Sequence, residues 1–345
     1  MLGGGVFTTQ NKVLPGAYIN FVNRNTASSA IGDRGVVAIA LNLNKFDGEV
    51  VEITAAEFVK DSETKLGYKY SDKQVAPLRE LFRHATKVYV YDLASTHTVS
   101  EAIAALEPYE FNILCAYTSA AEDATAYTTA VKKWRDELGK KCQVVVYNQT
   151  APDSEAVINV VSTVADDDVD ECALVAWVAG AEAACPINSS CTNMIYDGEY
   201  TVVVDKTQAQ LEDCIENGQI AFHLVYGDVR LLEDVNSLTT MTEDKNEDFK
   251  YNQTIRVIDQ IANDIAKLFN TKYLGKIPNN PTGRSSLWGE IVAHHRELES
   301  LGAIEAFDAT QLTIEQGNSK KSVVINDVIT VTNAMAQLYM TVIVQ

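Results

Sequence analysis

The most constraining stretch of this chain is its last, Ala334-Met-Ala-Gln-Leu-Tyr-Met-Thr-Val-Ile-Val-Gln345. In a strand, Leu338, Met340, Val342 and Val344 share one face, and Tyr339, Thr341 and Ile343 share the other. Both faces are apolar, and no charge, proline or turn residue follows. An apolar strand at a free chain end is an aggregation hazard unless it completes a sheet, its own or another chain's. The first 22 residues make a similar demand. Met1 to Val22 joins the Gly3-Gly4-Gly5 run to short strand-like pieces around Pro15-Gly16. Two extended, sticky ends predict strand exchange between copies. The candidate residues are Val13, Leu14, Tyr18, Ile19, Phe21 and Val22 at one end. At the other they are Leu338, Tyr339, Met340, Val342, Ile343 and Val344.

The composition narrows the classes. A chain of 345 residues, 46% hydrophobic, can form two or three domains with a large core. No run approaches the roughly 18 apolar residues of a membrane span, and no basic-then-apolar leader opens the chain. Cysteines 115, 142, 172, 185, 191 and 214 include no C-x-x-C pair. They are expected as reduced, mostly buried thiols of a cytosolic protein. The net charge of −19 is uneven. Residues 250–345 hold nine basic and nine acidic side chains, so the whole excess lies in residues 1–249. That argues against nucleic-acid binding, which needs a basic face. It favours a solvated acidic body joined to a neutral part with other surfaces to cover.

Residues 1–32 read as an arm ending in a small, polar linker, Asn23 to Gly32. A small α+β region is expected over 33–86, with Gly35–Leu41 and Glu49–Thr54 forming a hairpin about Asp47-Gly48. An acidic α/β domain is expected over 87–235. Its strands Lys87–Asp92, Phe111–Tyr117, Gln143–Tyr147 and Val157–Val164 are separated by helices Val99–Leu106 and Ala121–Leu138, which predicts βαβ units and a parallel sheet. Helix Glu171–Ala184, strand Tyr200–Asp205, helix Gln208–Asn217 and a hairpin over Ile220–Leu232 follow. A C-terminal α+β domain is expected over 236–345. In it, Ile255, Ile258, Ile261, Ile265 and Leu268 recur at helical spacing, Ser285–Leu301 forms a second helix, and strands end the chain.

Motifs of chemistry are sparse. The sequence has no G-x-x-x-x-G-K-[ST], H-E-x-x-H or G-x-S-x-G. His294 and His295 are adjacent on a helix and so face different ways, a poor start for a shared metal. Asp166 to Glu171 resembles a calcium loop, but Glu171 stands where glycine is required and Trp177 where the bidentate Glu belongs. It reads instead as a solvated loop capping the next helix. Trp134, Trp177 and Trp288 read as packing residues. No catalytic, cofactor-binding or metal residue is assigned, and no cofactor is expected.

The segments Gly3 to Val22, Ala176 to Asn193 with Tyr196-Asp197-Gly198, and Arg256 to Ile265 with Gly275, Asn279-Asn280, Arg284 and Gly302 resemble contractile phage tail sheath proteins of Gram-positive phages and phage-like particles. Their order matches across nearly the whole chain. The resemblance implies a subtilisin-like α/β domain without a catalytic triad. It also implies six-fold rings stacked helically around an inner tail tube, with contacts to baseplate and tail terminator. Each subunit's N-terminal arm and C-terminal strand would join a small sheet of neighbouring subunits, with Gly317 to Lys321 as a second flexible linker. It places the C-terminal domain next to the tube, with Arg284, Trp288, His294 and Arg296 as tube-facing candidates. The setting is a virion or tailocin-type contractile injection particle assembled in the bacterial cytoplasm, without nucleic-acid binding or membrane insertion. The alternatives are an α/β hydrolase-like enzyme with scattered site residues, and another self-assembling shell or tube protein.

Overall fold

Short apolar strands separated by helices must run parallel, because only a crossover can return the chain in the same direction. The computed structural model describes residues 31–344 and holds such a sheet. Its strands are β1 (Val36–Leu41), β2 (Val50–Thr54), β3 (Lys87–Asp92), β4 (Ile113–Cys115), β5 (Gln143–Tyr147), β6 (Val157–Val160) and β7 (Gln219–Ile220). They lie in the order β2-β3-β1-β4-β5-β6-β7, all parallel except β2 against β3. Ile39 of β1 sits opposite Val90 on one side and Cys115 on the other.

Alternation decides which helices cover which face. Val37, Ile39, Val88, Val90, Ile113 and Val145 point toward α1 (Ala55–Leu66), α2 (Ala76–Leu81) and α5 (Ala173–Ala184). Ala38, Ala40, Tyr89, Leu114, Val144 and Val146 point toward α3 (Val99–Leu106) and α4 (Ala121–Lys133). Helix α5 is apolar nearly all round and is buried along almost its whole length, as such a helix must be. A Cβ on its Gly180 would lie 2.4 Å from the Leu81 carbonyl oxygen, so glycine lets α5 close onto α2. Trp177 donates to Asp197 at 2.8 Å and is fully buried, and Trp134 is nearly so.

The C-terminal edge of an open α/β sheet is where such folds build ligand sites. Here the Asp92 carboxylate is fully buried at the end of β3. It accepts backbone N–H bonds from Leu43, Asn44, Lys45, Phe46 and Ala94 at 2.6–3.0 Å. Burial by itself raises the Asp92 pKa, but the five donors outweigh it and hold the group below the usual carboxylate range.

After α6 (Gln208–Glu216), the chain forms the hairpin β8 (Phe222–Val225)–β9 (Asp228–Leu231). The C-terminal part contains α7 (Asn252–Leu268), α8 (Pro281–Leu301) and the hairpin β10 (Thr313–Gln316)–β11 (Val323–Asn326). A separate apolar core joins Val257 and Leu268 of α7, Leu287, Ile291 and Leu298 of α8, and Ile304, Phe307 and Leu312.

Four expectations are corrected. β1 and β2 do not pair with each other; β3 lies between them, so residues 33–86 belong to the main sheet and are no separate region. Alternating apolar residues cannot tell a hairpin from two strands split by an inserted third. Tyr200–Asp205 makes only an isolated bridge, Val202 to Val164. The acidic loop does not cap α5, whose N-cap is Cys172 without a side-chain bond; Asp166 instead accepts from the Thr201 amide at 2.6 Å. Gly317 to Lys321 is no linker, because Gly317 N–H bonds the Ser322 carbonyl at 2.9 Å and closes the β10–β11 hairpin.

Candidate assembly site

The C-terminal segment is pinned as far as Ala334 and then leaves the surface. Val331 bridges to Ile304, Thr332 N–H reaches the Ala303 carbonyl at 3.0 Å, and Ala334 N–H reaches Gln253 Oε1 at 2.9 Å. Beyond that, Met335, Leu338, Tyr339, Met340, Val342, Ile343 and Val344 are each more than two-thirds exposed. Residues 335–344 join no ladder among the described residues. Each such side chain gains about 1.5–3 kcal/mol on burial, and neither face of the segment has yet gained it. Among the described residues β10 and β11 form a sheet of two strands only, with open edges and with Val324, Ile325 and Val328 exposed. Backbone donors and acceptors on such edges are a template for a further strand. The N-terminal exchange candidates Val13, Leu14, Tyr18, Ile19, Phe21 and Val22 lie outside the described residues.

Helix α7 supplies the anchorage. Its isoleucine stripe predicts a helix buried on its apolar side. That side is covered: Ile255 and Leu268 are buried and Ile261 and Ile265 pack on the C-terminal core, but Asn252, Gln253, Thr254, Arg256, Asp259 and Gln260 are buried as well. The polar side is sunk into the α/β domain, so each group needs a partner. Asp259 takes a bidentate pair from Arg135 at 2.5 and 2.8 Å. Asn252 Oδ1 accepts from Gln143 at 3.0 Å, and Asn263 Nδ2 donates to the Lys141 carbonyl at 2.8 Å.

Arg256 is the centre of this junction. Its Nη2 lies 2.6 Å from Glu182 Oε2 and 3.2 Å from Asp234 Oδ2, and its Nη1 donates to the Ser189 carbonyl at 2.7 Å. All three charged side chains are 1% exposed. Burial, reinforced by Asp234, pushes the Glu182 carboxyl well above its usual range. Burial opposes ionisation of Asp234 too, but Arg256 and a proton donated by Glu182 hold its pKa below the ordinary value. The two acids are thus set apart, Glu182 toward its neutral form and Asp234 toward its charged form. A proton between the acids accounts for the two buried oxygens that lack another partner, Glu182 Oε1 and Asp234 Oδ1. Glu182, Cys191 and Asp234 have donor atoms within 4.8 Å of one another, a metal-like spacing. The Arg256 guanidinium already takes the cation's place there. The Cys191 thiol, hydrogen-bonded to Cys185 and buried, is pushed well above its usual pKa and is a poor ligand. All six cysteines are buried free thiols.

Of the four tube-facing candidates, Arg284, Trp288 and Arg296 reach the surface and His294 does not. Trp288 is 37% exposed and donates to the Leu312 carbonyl at 3.0 Å; Arg296 is exposed and pairs with Glu299 at 2.5 Å; Arg284 is half-buried over Asn279. His294 is corrected: it is 1% exposed and bonded to Asp264 at 3.0 Å, about 160° round the helix from Arg296. It faces α7, not solvent. The buried polar side of α7 escaped the sequence reading because an isoleucine stripe outweighed it. The available signal was the density of long polar side chains, Gln253, Arg256, Asp259 and Gln260, along one helix.

No helix among the described residues is long and apolar enough to cross a membrane. Comparison with known proteins adds the family context. Residues 93–237 match the phage tail sheath protein central domain, and residues 244–345 the phage tail sheath C-terminal domain. The tail sheath protein of Clostridium phage phiCD119 is 26% identical over 304 residues, covering 86% of this chain and 84% of that protein. Phage-like element PBSX protein XkdK of Bacillus subtilis is 28% identical over 256 residues, 70% of this chain but only 55% of that protein. The crystal structure of the sheath tail protein from Desulfitobacterium hafniense superposes with a TM-score of 0.79 at 26% identity, covering 92% of this chain and 96% of that one. The helical sheath of the anti-feeding prophage in its contracted state shares the fold, with a TM-score of 0.71 at 16% identity over 97% and 99% of the two chains.

Proposed function

Because the chain belongs to the phage tail sheath family, whose central and C-terminal domains it matches in order, we propose that its two ends are the joints of a contractile sheath. The protein is a structural subunit of such a sheath. Its partners are other copies of itself, stacked in rings, with an inner tube, a baseplate and a terminator bounding the stack. Its place is a phage virion or a phage-tail-like particle, assembled in the host cytoplasm. The working division is an arm and linker over residues 1–32, an α/β body over 33–235, subtilisin-like in fold and without a triad, and a C-terminal domain over 236–345.

The observation that carries this reading is the exposed apolar segment 335–344, on a domain whose hairpin keeps two open edges. Strand addition gives directional backbone hydrogen bonds and alternating side-chain contacts. Those bonds persist while rigid bodies rotate about them. The α/β body and α7 move as one such rigid body, because breaking the Arg256 cluster costs more than shifting exposed contacts between copies. Contraction then runs from a metastable extended packing to a lower one, released along the tail. The chemical energy of a nucleotide is not required. The hydrolase alternative is not supported, since the matched family and relatives are sheath proteins.

Deleting residues 339–345 tests the reading. The truncated chain is expected to stay soluble, melt like the full chain and form no cylinders in electron micrographs. Unfolding of the truncated chain, or normal cylinders from it, overturns the role of this end.

A further inference from the structure

Four side chains form a line across the C-terminal domain, with both imidazoles buried, Asp264 nearly so and Asp327 at the exposed end. His294 and His295, consecutive on α8, turn their Nδ1 atoms toward each other at 3.3 Å. His294 Nε2 lies 3.0 Å from Asp264 Oδ2 on α7, and His295 Nε2 lies 2.6 Å from Asp327 Oδ2, just after β11. The imidazoles are 1% and 0% exposed, Asp264 is 9% and Asp327 26%. The sequence reading separates the two rings by helix geometry. The structure brings them together: each ring reaches its own carboxylate through Nε2, and the two Nδ1 atoms meet.

The two ends of this line are the roots of the two proposed joints. Asp264 receives the Gly32 amide at 3.2 and 3.1 Å, and Gln260 Nε2 bonds both Asp264 and the Gly32 carbonyl. A Cβ at residue 32 would sit 2.7 Å from Asp264 Oδ1, so a larger residue there would push the Asp264 carboxylate aside. Gly32 is where the chain emerges from the arm and linker. Asp327 opens the run that is clamped by Glu305 N–H to the Thr330 carbonyl and Thr332 N–H to the Ala303 carbonyl, and that run leads directly into residues 335–344.

Hydrogen-bond counting fixes how the line can be satisfied. Both Nε2 atoms face carboxylates and must donate. Two Nδ1 atoms in contact then need one proton between them, since two bare lone pairs repel and two N–H groups clash. Three ring protons on two rings, between two carboxylates, satisfy every contact. The charged groups facing the rings are Asp264 from α7 and Asp327 from the segment after β11. Phe307 packs on His295 at 4.8 Å, and Arg296 packs on Phe307 in turn.

We propose that the Asp264–His294–His295–Asp327 line is a coupling element: one shared proton ties the root of the N-terminal arm to the root of the C-terminal strand. This rests on the reading of both ends as joints, but the coupling is a property of the single subunit. Pulling one carboxylate away re-aims the shared proton and weakens the contact at the other end. A subunit seated by one arm would thereby set how firmly its other end is held.

The test is amide hydrogen exchange on the full-length chain, at a dilution where light scattering shows a monomer. D327N is expected to lower protection of the Gly32 amide about fivefold or more, although Asp327 does not touch it. D264N is expected to do the same at Glu305 and Thr332. H294Q keeps a donor toward Asp264 but removes the ring-to-ring contact, so D327N added to H294Q leaves Gly32 unchanged. Nitrogen NMR of the unsubstituted protein provides a check independent of variant folding. It is expected to show one ring with both nitrogens protonated and the other accepting at Nδ1. If D327N and D264N each affect only their own end, or if both rings carry a proton at Nε2 alone, the proposal fails. Sheath assembly is scored separately by microscopy, so loss of the coupling leaves the sheath reading standing, and loss of assembly leaves the coupling measurable.

Discussion

Replacing Arg256 by methionine tests the α7 junction most sharply. Methionine fills most of the volume but removes the cation that pairs with both Glu182 and Asp234. Asp234 keeps the Cys191 amide at 2.9 Å, the Ser190 hydroxyl at 3.1 Å and its contact with Glu182, but no cation pairs with its fully buried charge. The Ser189 carbonyl also loses its partner. Leaving one member of a buried ion pair unpaired costs about 3–5 kcal/mol. At about 2–4 °C of melting temperature per kcal/mol for domains of this size, R256M should melt about 6–20 °C lower. The junction joins the α/β body to the C-terminal domain, so calorimetry should also show one transition splitting into two. Adding E182Q and D234N to R256M should restore most of the loss, because a neutral polar cluster no longer buries an unpaired charge. A loss below about 1 kcal/mol, or no recovery in the triple variant, would refute the assignment of Arg256 as the cation that holds α7 down.

Two further predictions follow from other parts of the molecule. L338K or V342K should abolish cylinders while leaving the melting of the subunit unchanged, because both side chains are exposed in the single chain; normal cylinders in electron micrographs from either variant would contradict the strand's role. D92N turns an acceptor oxygen into a donor against the Lys45 and Phe46 amides or the Leu43, Asn44 and Ala94 amides, at a cost of about 2–3 kcal/mol in urea titrations at neutral pH. The sign with pH follows from its depressed folded-state pKa. The stabilisation by Asp92 is complete above about pH 4, the unfolded value, and is lost as pH falls below that through the folded value. The D92N variant should therefore lose less stability than the parent between neutral and strongly acidic pH, and parallel acid limbs would count against the nest.

The parallel sheet and the main helices were legible because their signals are local. β3, β5, α3 and α6 fall within a residue or two of the stretches that alternation and capping mark, and Thr98-Glu101 and Thr207-Gln210 form the capping boxes that start α3 and α6. Strand order was not legible. β2 and β1 read as a hairpin, yet β3 enters between them, and nothing local distinguishes the two outcomes. The polar cargo of α7 was hidden for a related reason: Arg256 and Asp259 look like solvated charges until Glu182, Asp234 and Arg135 arrive from distant parts of the chain. His294 and His295 show the same limit, since the spacing of two neighbours on a helix does not reveal that rings of opposite aim still meet at their Nδ1 atoms. The pattern of residues 335–344, apolar on both faces, marks a segment that needs a sheet to join, and among the described residues it joins none.

Whether a neighbouring copy completes the C-terminal segment is tested most directly by a cryo-electron microscopy map of the assembled particle. The expected map places residues 338–344 of one copy as a strand against the β10–β11 hairpin of another, with that pairing unchanged between long and short forms of the cylinder. A map in which residues 338–344 lie against their own subunit, or in which copies meet only through their α/β bodies, would contradict it.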